Sequence, residues 1–238
     1  MSKSPMKHRK ISGRIDYITD NVGVEGQEWF TPTVPTDGRR TMRAYVEMHD
    51  DHLIRDVTFS VDEKWKPLDC FVRLTIHDRF QGSAWFRFTD TMVECETFTV
   101  DAGRISQTWP VKGHIPMFVS HATACDAWGN ALFDKSRKGE TQTIYPRLAS
   151  SPLGNGGSGP LIGPSTTVTP IASTLNLDYV GEEDLTVPAG TFKCDRIILN
   201  KGLIPRFEIW TTGPDYIPVQ LRYDRLKQYY KLAELKQD

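Results

Sequence analysis

Apolar and polar side chains alternate along the chain between residues 42 and 109, and short polar turns divide this stretch into six runs. Alternate residues of an extended strand lie on the same face, so a period of two is typical of strands with one buried face. In the run 53–61 the positions on the apolar face have one exception, Arg55. The pattern predicts six successive strands and one cation that points into the core. The connections are too short for a parallel crossover, which predicts antiparallel pairing.

The spacing of apolar positions changes after Pro110. Between residues 116 and 134, five residues follow one another at intervals of three and four, which places them on one face of a helix. They are Phe118, His121, Cys125, Trp128 and Leu132. Strand-like runs return at 141–148 and form a second meander from residue 174 to 235. Two meanders around one helix predict a mainly β protein, a single antiparallel β-barrel or half-barrel of roughly ten strands wrapped around that helix.

The length of 238 residues fits one large β domain. Residues 1–14 are rich in Lys and Arg and are expected to be a basic N-terminal tail, which leaves residues 15–238 as the domain. The stretch 149–170 is rich in Ser, Gly and Pro, and a loop of that length in a compact domain is often a lid. We therefore expect a mobile lid at 149–170.

Charge and cysteine content narrow the classes of partner. The chain has 29 Lys and Arg against 30 Asp and Glu, so no overall positive field favours nucleic acid or an anionic membrane. No run approaches the ~20 apolar residues that a membrane-spanning helix needs, and no secretory signal pattern follows the basic start. These patterns predict a cytoplasmic protein with four unpaired thiols, Cys70, Cys95, Cys125 and Cys194. A homo-oligomer stays open.

One segment of the C-terminal half carries a family resemblance. It combines Tyr-Val-Gly-Glu-Glu at 179–183, Val-Pro-Ala-Gly-Thr-Phe-Lys-Cys at 187–194, the strand of Trp210, and Ile-Pro-Val at 217–219. In these motifs the chain resembles the domain-of-unknown-function 3108 group over about a third of its length. The resemblance implies the shape of the lipoprotein-carrier half-barrels, in which a curved antiparallel sheet holds an apolar ligand. Most proteins of that group are exported, whereas this chain shows no signal pattern.

Motifs for cofactors and metals are weak. Residues 154–159 match G-x-G-x-x-G by letter, but no strand precedes them and prolines follow where a helix should begin. The polar residues 49–52, His-Asp-Asp-His, fit a solvated hairpin turn better than a metal site. We therefore expect no cofactor and no metal.

His121 is the first candidate for chemistry, because it lies on the apolar face of the expected helix and its usual pKa of ~6.5 suits proton transfer. The alternative is a core histidine without a catalytic role. Arg55 pairs either with a carboxylate of the fold or with the anionic group of a ligand. Tyr45 is the third candidate, as a phenolic donor. The expected catalytic set is His121, Arg55 and Tyr45.

Candidate binding residues depend on which sheet face lines the cavity. Three aromatic residues are plausible walls, namely Trp128, Tyr145 and Trp210. Should the more polar face line the cavity, its residues would be Trp85, Arg73, His77, Arg87 and Glu96. The apolar face is favoured as the interior, because buried strand faces are apolar in most proteins.

Together these features predict a cofactor-independent lyase or isomerase. It would act by proton transfer, through dehydration, decarboxylation or a double-bond shift, on an apolar or aromatic small molecule in the barrel. The alternative is a non-catalytic carrier or sensor of a hydrophobic ligand, in which Arg55 anchors a ligand carboxylate and His121 is only packed.

Overall fold

The structure is a computed structural model and describes residues 8–50, 52–150, 173–199, 207–223 and 226–237. Strands make up most of this described part. They are β1 (His8–Thr19), β2 (Gly23–Pro35), β3 (Arg40–Met48), β4 (Leu53–Val61), β5 (Pro67–Ile76), β6 (Arg79–Phe88), β7 (Met92–Thr99), β8 (Gly103–Pro110), β9 (Met117–Val119), β10 (Thr141–Ala149), β11 (Ser173–Val187), β12 (Gly190–Leu199), β13 (Phe207–Thr212), β14 (Ile217–Tyr223) and β15 (Gln228–Gln237).

All fifteen strands belong to one sheet, in the spatial order β8-β7-β6-β5-β4-β3-β2-β1-β15-β14-β13-β12-β11-β10-β9. The two meanders meet where β1 pairs with β15. Neighbouring strands are antiparallel except β9 and β10, which are parallel. The mainly β fold and the antiparallel order of the six strands β3 to β8 are confirmed. The sheet has more strands than the sequence predicts, because β1, β2 and β9 have weak or short alternating patterns.

In β3, β4, β6 and β7 one face of the sheet is buried, and it is the apolar face that the alternation marks, whereas β13 is buried on both faces. Strand β4 alternates buried and less buried positions from Leu53 to Val61, and Arg55 lies on the buried side. Its neighbour across the β3–β4 pair is Val46, which is also buried. The interior position of Arg55 is therefore confirmed. All four cysteines are buried free thiols, also as predicted.

The expected helix over residues 116–134 is wrong. Phe118 belongs to β9, and the helical part is α1 (Thr123–Asp126) followed by 3₁₀ turns at Ala127–Leu132 and Lys135–Arg137. His121 has φ +62°, a left-handed conformation that no right-handed helix contains, so α1 can begin only after it. This non-strand segment, residues 120–137, packs inside the curved sheet and is called the plug below.

Two further predictions concern the N-terminal residues and the stretch after β10. The basic tail predicted for residues 1–14 is wrong in extent, because β1 begins at His8 and pairs with both β2 and β15. The lid predicted for 149–170 lies outside the described residues, apart from Ala149 at the end of β10 and the buried Ser150. Among the helical segments that the structure describes, none is long and apolar enough to cross a bilayer.

Candidate functional site

A fully buried carboxylate, Glu28, holds the plug against the inner face of the sheet. Strand β2 places Glu28 inward, where it is 0 % exposed. The Thr123 and Ala124 N–H groups donate to its two oxygens, each at 2.7 Å, and the Tyr17 hydroxyl donates to it as well. Burial raises the pKa of Glu28, and these three donors act in the opposite direction. Glu28 therefore fixes the start of α1 inside the barrel.

Arg55 approaches the plug from β4. Its Nη1 donates to the backbone carbonyl of His121 at 2.7 Å. Burial lowers the pKa of Arg55, while the nearby Tyr17, Asp126 and Glu28 favour its charged form. The guanidinium bonds to a backbone carbonyl of the fold and forms no ion pair within the described residues, so neither of the two pairings that the sequence left open is observed.

His121 lies beside Arg55, but it is not poised to titrate near neutral pH. Burial, together with the positive charges of Arg55 and Arg147, lowers the pKa of His121 to about 3. Its Nε2 is buried and has no hydrogen-bond partner in the described structure. The histidine is therefore neutral at physiological pH and can exchange hydrogen bonds rather than shuttle a proton.

Asp126 is the acidic group of the plug whose titration falls near neutrality. Its Oδ1 accepts from the Ser120 N–H at 2.8 Å and lies 3.3 Å from Ser120 Oγ. Its other oxygen has no hydrogen-bond partner within the described ranges, and the side chain is only half-buried. Burial raises the pKa of Asp126 to about 7, with the charge of Glu28 acting in the same direction. One oxygen of the Asp126 side chain is therefore available to a bound molecule, whether the carboxyl group is protonated or ionised.

Arg147 and two tyrosines complete the surroundings of Asp126. The positive charge of Arg147, on β10, stabilises the Asp126 carboxylate. Burial raises the pKa of Tyr223, and Tyr230 and Asp126 act in the same direction. Tyr230 lies between Tyr223 and Tyr17. Arg147, Tyr223 and Tyr230 lie deep in the fold but keep some accessible surface. We call Tyr17, Glu28, Arg55, His121, Asp126 and Arg147 the interior polar cluster.

The predicted catalytic set is only partly brought together. Arg55 and His121 meet, as expected, although through the histidine carbonyl rather than its ring. Including Tyr45 in this set is wrong, because it lies opposite Asp56 on the outer face of the sheet and donates to Glu47 at 2.6 Å. A hydrogen bond to that acid raises the pKa of Tyr45 to about 12. Tyr45 is the neighbour of Val46 in the strand, and because Val46 faces inward, the Tyr45 side chain points outward.

The three expected aromatic walls lie away from this cluster. Trp128 is buried in the plug, stacks near Phe59 and donates from Nε1 to the Asp215 carbonyl at 3.1 Å. Trp210 is buried on the side of β13 opposite to Ile209, between the guanidinium groups of Arg196 and Arg222. Tyr145 is 63 % exposed. Within the described residues, none of the three forms a ring stack or a hydrogen bond with the interior polar cluster.

The alternative set on the polar face is outside the barrel. Its five residues are exposed or half-buried, and they are Arg73, His77, Trp85, Arg87 and Glu96. The charged members are engaged at the surface, as Arg87 pairs with Glu94 and Glu96 with Arg104. Trp85 lines a shallow outer groove with Phe71 and Phe98. The alternative in which this face lines the cavity of the barrel is therefore wrong. The groove at Trp85 lies on the outer surface of the sheet.

Sequence reasoning missed four members of the cluster, namely Tyr17, Glu28, Asp126 and Arg147. One signal was available. Glu28 stands between Gly26 and Phe30 on the same face of β2, so it interrupts an inward series as Arg55 does in β4. Asp126 had no such signal, because its position follows from the turn at His121 rather than from a helical period. In the part of the chain that is described, no three His, Cys, Asp or Glu residues form a metal-binding group.

Comparison with known proteins gives the fold but no activity. No family model matches the chain, and no curated protein matches it. The crystal structure of a β-barrel-like protein of domain of unknown function 1849 from Brucella abortus matches with a TM-score of 0.56 and 11% identity, over 98% of this chain and 100% of the other. The chain has a β-barrel-like fold.

Two further structures are more distant. A candidate exported protein with a YmcC-like fold from Bacteroides fragilis has a TM-score of 0.33 at 8% identity, over 95% of each chain. A candidate lipoprotein from Parabacteroides distasonis has a TM-score of 0.30 at 10% identity, over 98% of this chain and 97% of the other. The resemblance to the domain-of-unknown-function 3108 group stays a prediction.

Proposed function

We propose that this protein is an enzyme that needs no cofactor and acts by proton transfer on a small aromatic or apolar molecule bound inside the barrel. The observation that carries the proposal is the half-buried Asp126, whose second carboxylate oxygen has no hydrogen-bond partner among the described residues. It lies in an interior that also holds two guanidinium groups, those of Arg55 and Arg147. A free acid–base group beside positive charge is what a proton-transfer site requires.

Asp126 is the acid–base residue in this proposal, in place of the histidine expected from the sequence. With a pKa of about 7, its carboxyl is present in both forms at neutral pH, so it can take a proton from one substrate atom and return it to another. His121 stays neutral and supplies a hydrogen bond. The positive charges of Arg55 and Arg147 stabilise negative charge that develops on a substrate oxygen.

The chemistry that this set supports is elimination or isomerisation. The Asp126 carboxylate removes a proton from carbon or from a hydroxyl group, and the electron pair forms a new double bond. In a lyase the leaving oxygen or carbon group takes the proton from Asp126, whereas in an isomerase the proton returns to a different carbon. Both cycles regenerate the carboxylate, so neither needs an oxidant or reductant.

The second candidate is a non-catalytic carrier. The hydrogen bonds of Glu28 and Arg55 favour this candidate, because both residues bind backbone groups of the plug. A carrier would need the same structural role. In that case Asp126 only shapes the loop at Ser120. The cytoplasmic location stays a prediction under both candidates.

The test compares the wild-type protein with Asp126→Asn on a panel of aryl substrates that carry a β-hydroxyl, a carboxylate or a movable double bond. Products are followed by mass spectrometry. We expect turnover by the wild type and a ~10²–10⁴-fold lower rate in the variant, the usual contribution of a general acid or base. Asp134→Asn, in an exposed turn of the plug, is the matched control and should keep full activity. Full activity in Asp126→Asn would refute the assignment, and ligand binding without any turnover would favour the carrier.

A further inference from the structure

A continuous row of aromatic rings crosses four neighbouring strands on the inner side of the sheet. The ring centroids of Tyr17 and Tyr230 are 4.2 Å apart, those of Tyr230 and Tyr223 are 5.8 Å apart, and those of Tyr223 and Phe207 are 5.0 Å apart. The four rings come from β1, β15, β14 and β13 in that order, which is their order in the sheet. The row starts at Glu28, through the Tyr17 hydroxyl, and Tyr223 lies near Asp126 and Arg147.

Two hydroxyl groups of this row have nothing to bind to within the described structure. The Tyr17 hydroxyl donates to Glu28 and lies 3.2 Å from Thr123 Oγ1. The hydroxyls of Tyr223 and Tyr230 have no hydrogen-bond partner among the described residues, although both side chains are at least half-buried. Burial raises the pKa of both, to about 12 for Tyr230, so each phenol stays protonated and able to donate.

Neither hydroxyl belongs to the buried polar atoms without a partner, so both are accessible to a bound molecule. Phenols that keep accessible surface inside a barrel can be satisfied by a ligand with an oxygen acceptor. The rings of Tyr223 and Phe207 beside them offer aromatic surface, and an offset or edge-to-face ring pair is more favourable than the burial of an equal apolar area alone. The methylene chain of a fatty acid would make no ring pair along this row, although its carboxylate could accept from the phenols.

We propose that Tyr230, Tyr223 and Phe207 form the substrate subsite and select a planar aromatic molecule that carries an oxygen acceptor, such as an aryl ether or aryl ketone. The inference rests on the proposed function, since it takes the space beside Asp126 as the site of reaction. It goes further by naming the class of substrate and the residues that select it. The ring of the substrate packs along the row, and its oxygen accepts from one of the two free phenols.

Matched probes test the two parts of this proposal by titration calorimetry with the full chain. The pair trans-cinnamate and 3-cyclohexylpropanoate compares a planar aryl group with a saturated ring, while both carry the same charge. The pair 4-methoxycinnamate and 4-methylcinnamate differs in one oxygen acceptor. We expect cinnamate to bind about threefold to tenfold more tightly than its saturated partner, the scale of one aromatic pair. We expect a similar preference for the methoxy probe, the scale of one net hydrogen bond.

Substitutions in the row assign these preferences to residues. Tyr223→Phe and Tyr230→Phe keep the rings and remove one phenol each, so the double variant should lose the preference for the methoxy probe while it keeps that for cinnamate. Tyr223→Leu should reduce the preference for cinnamate. Tyr229→Phe is the matched control, because Tyr229 neighbours Tyr230 on β15 and its hydroxyl lies near Asp20 at the surface.

The outcomes separate this proposal from the proposed function. Equal binding of each probe pair by the wild type would overturn the subsite, and so would preferences that the double phenylalanine variant keeps. The phenylalanine variants decide the matter even where Tyr223→Leu fails to fold. Asp126→Asn should keep the preference within each probe pair, although removing the carboxylate charge changes the absolute affinity for these anionic probes. Selective binding without turnover of any aryl substrate would leave the subsite standing and remove the enzyme assignment.

Discussion

Asp126 and His121 lie on the same short loop, because Asp126 accepts from the Ser120 N–H just before the turn at His121. Burial moves their pKa values in opposite directions, because it disfavours the charged form of each: up to about 7 for the acid and down to about 3 for the histidine. Residue types alone could not predict that Asp126, rather than His121, titrates near neutral pH. The sequence identifies a histidine with an ordinary pKa, and only the fold shows how deeply it lies.

The raised pKa of Asp126 has a consequence for stability. An acid whose pKa is higher in the folded state stabilises the fold fully below its unfolded value and loses that contribution as pH rises through the folded value. His121 acts in the opposite sense over part of the range, because its contribution is present above ~6.5 and lost as pH falls towards 3. The two effects on the free energy of unfolding partly cancel in the wild type. The contribution of Asp126 is therefore measured as the difference between the wild type and a variant at this position.

We therefore expect Asp126→Asn to match the wild type in free energy of unfolding near pH 4 and to exceed it by on the order of 3 kcal/mol near pH 8. Urea denaturation across this range measures the difference. Asp134→Asn is the control, because hydrogen bonds from Ser136 lower the pKa of Asp134 and predict a difference of the opposite sign. A constant difference between Asp126→Asn and the wild type at all pH values would contradict the raised pKa.

Glu28 is the residue that attaches the plug to β2. A glutamine has one carbonyl oxygen for the N–H groups of Thr123 and Ala124, and its amide group would face a donor instead of accepting from it. We expect Glu28→Gln to lower the free energy of unfolding by about 1–3 kcal/mol, the cost of a buried donor left unsatisfied. Glu47→Gln on the outer face should change it by less than ~0.5 kcal/mol. Equal stability of the two variants would remove Glu28 from its anchoring role.

At the level of elements, β3 to β8 were predictable because apolar and polar positions alternate along them, with Arg55 as an exception in β4, and because each turn is short. Strands β1 and β2 were not, since β2 carries Gly26, Glu28 and Pro32 on its inner face and so lacks a continuous apolar series. The plug was misread as one helix because its apolar spacing of three and four also suits a segment with successive turns. Its true shape depends on contacts with β2, β4 and β14, which lie far away in sequence.

The pairing of β1 with both neighbours requires a residue without a side chain at Gly13. A Cβ there would lie 2.9 Å from the Glu234 carbonyl oxygen and would overlap the Phe30 ring, which is 1 % exposed. We expect Gly13→Ala to cost about 1–3 kcal/mol of unfolding free energy, as other overpacked cores do. Denaturant melting measures this cost, with Ser12→Ala on the same strand as the control. An unchanged midpoint for Gly13→Ala would show that β1 and β2 can separate without penalty.

At the scale of the whole molecule, one sheet of fifteen strands encloses a plug that carries acidic, basic and phenolic groups. The fold class followed from the sequence, because two alternating meanders can bury their apolar faces only against each other or against an enclosed segment. The site did not follow, since its members come from β1, β2, β4, β10 and the plug. Among them, only Arg55, His121 and Glu28 had a local signal.

The proposed acid–base role requires a titratable Asp126 that faces a bound ligand. Carbon-13 NMR of protein labelled at the aspartate side-chain carboxyl measures this, with Asp126→Asn assigning the resonance. We expect a titration midpoint near pH 7 and a shift of the midpoint when trans-cinnamate saturates the protein. A midpoint near the ordinary value of ~4, unchanged by the ligand, would contradict both the acid–base role and the interior binding site.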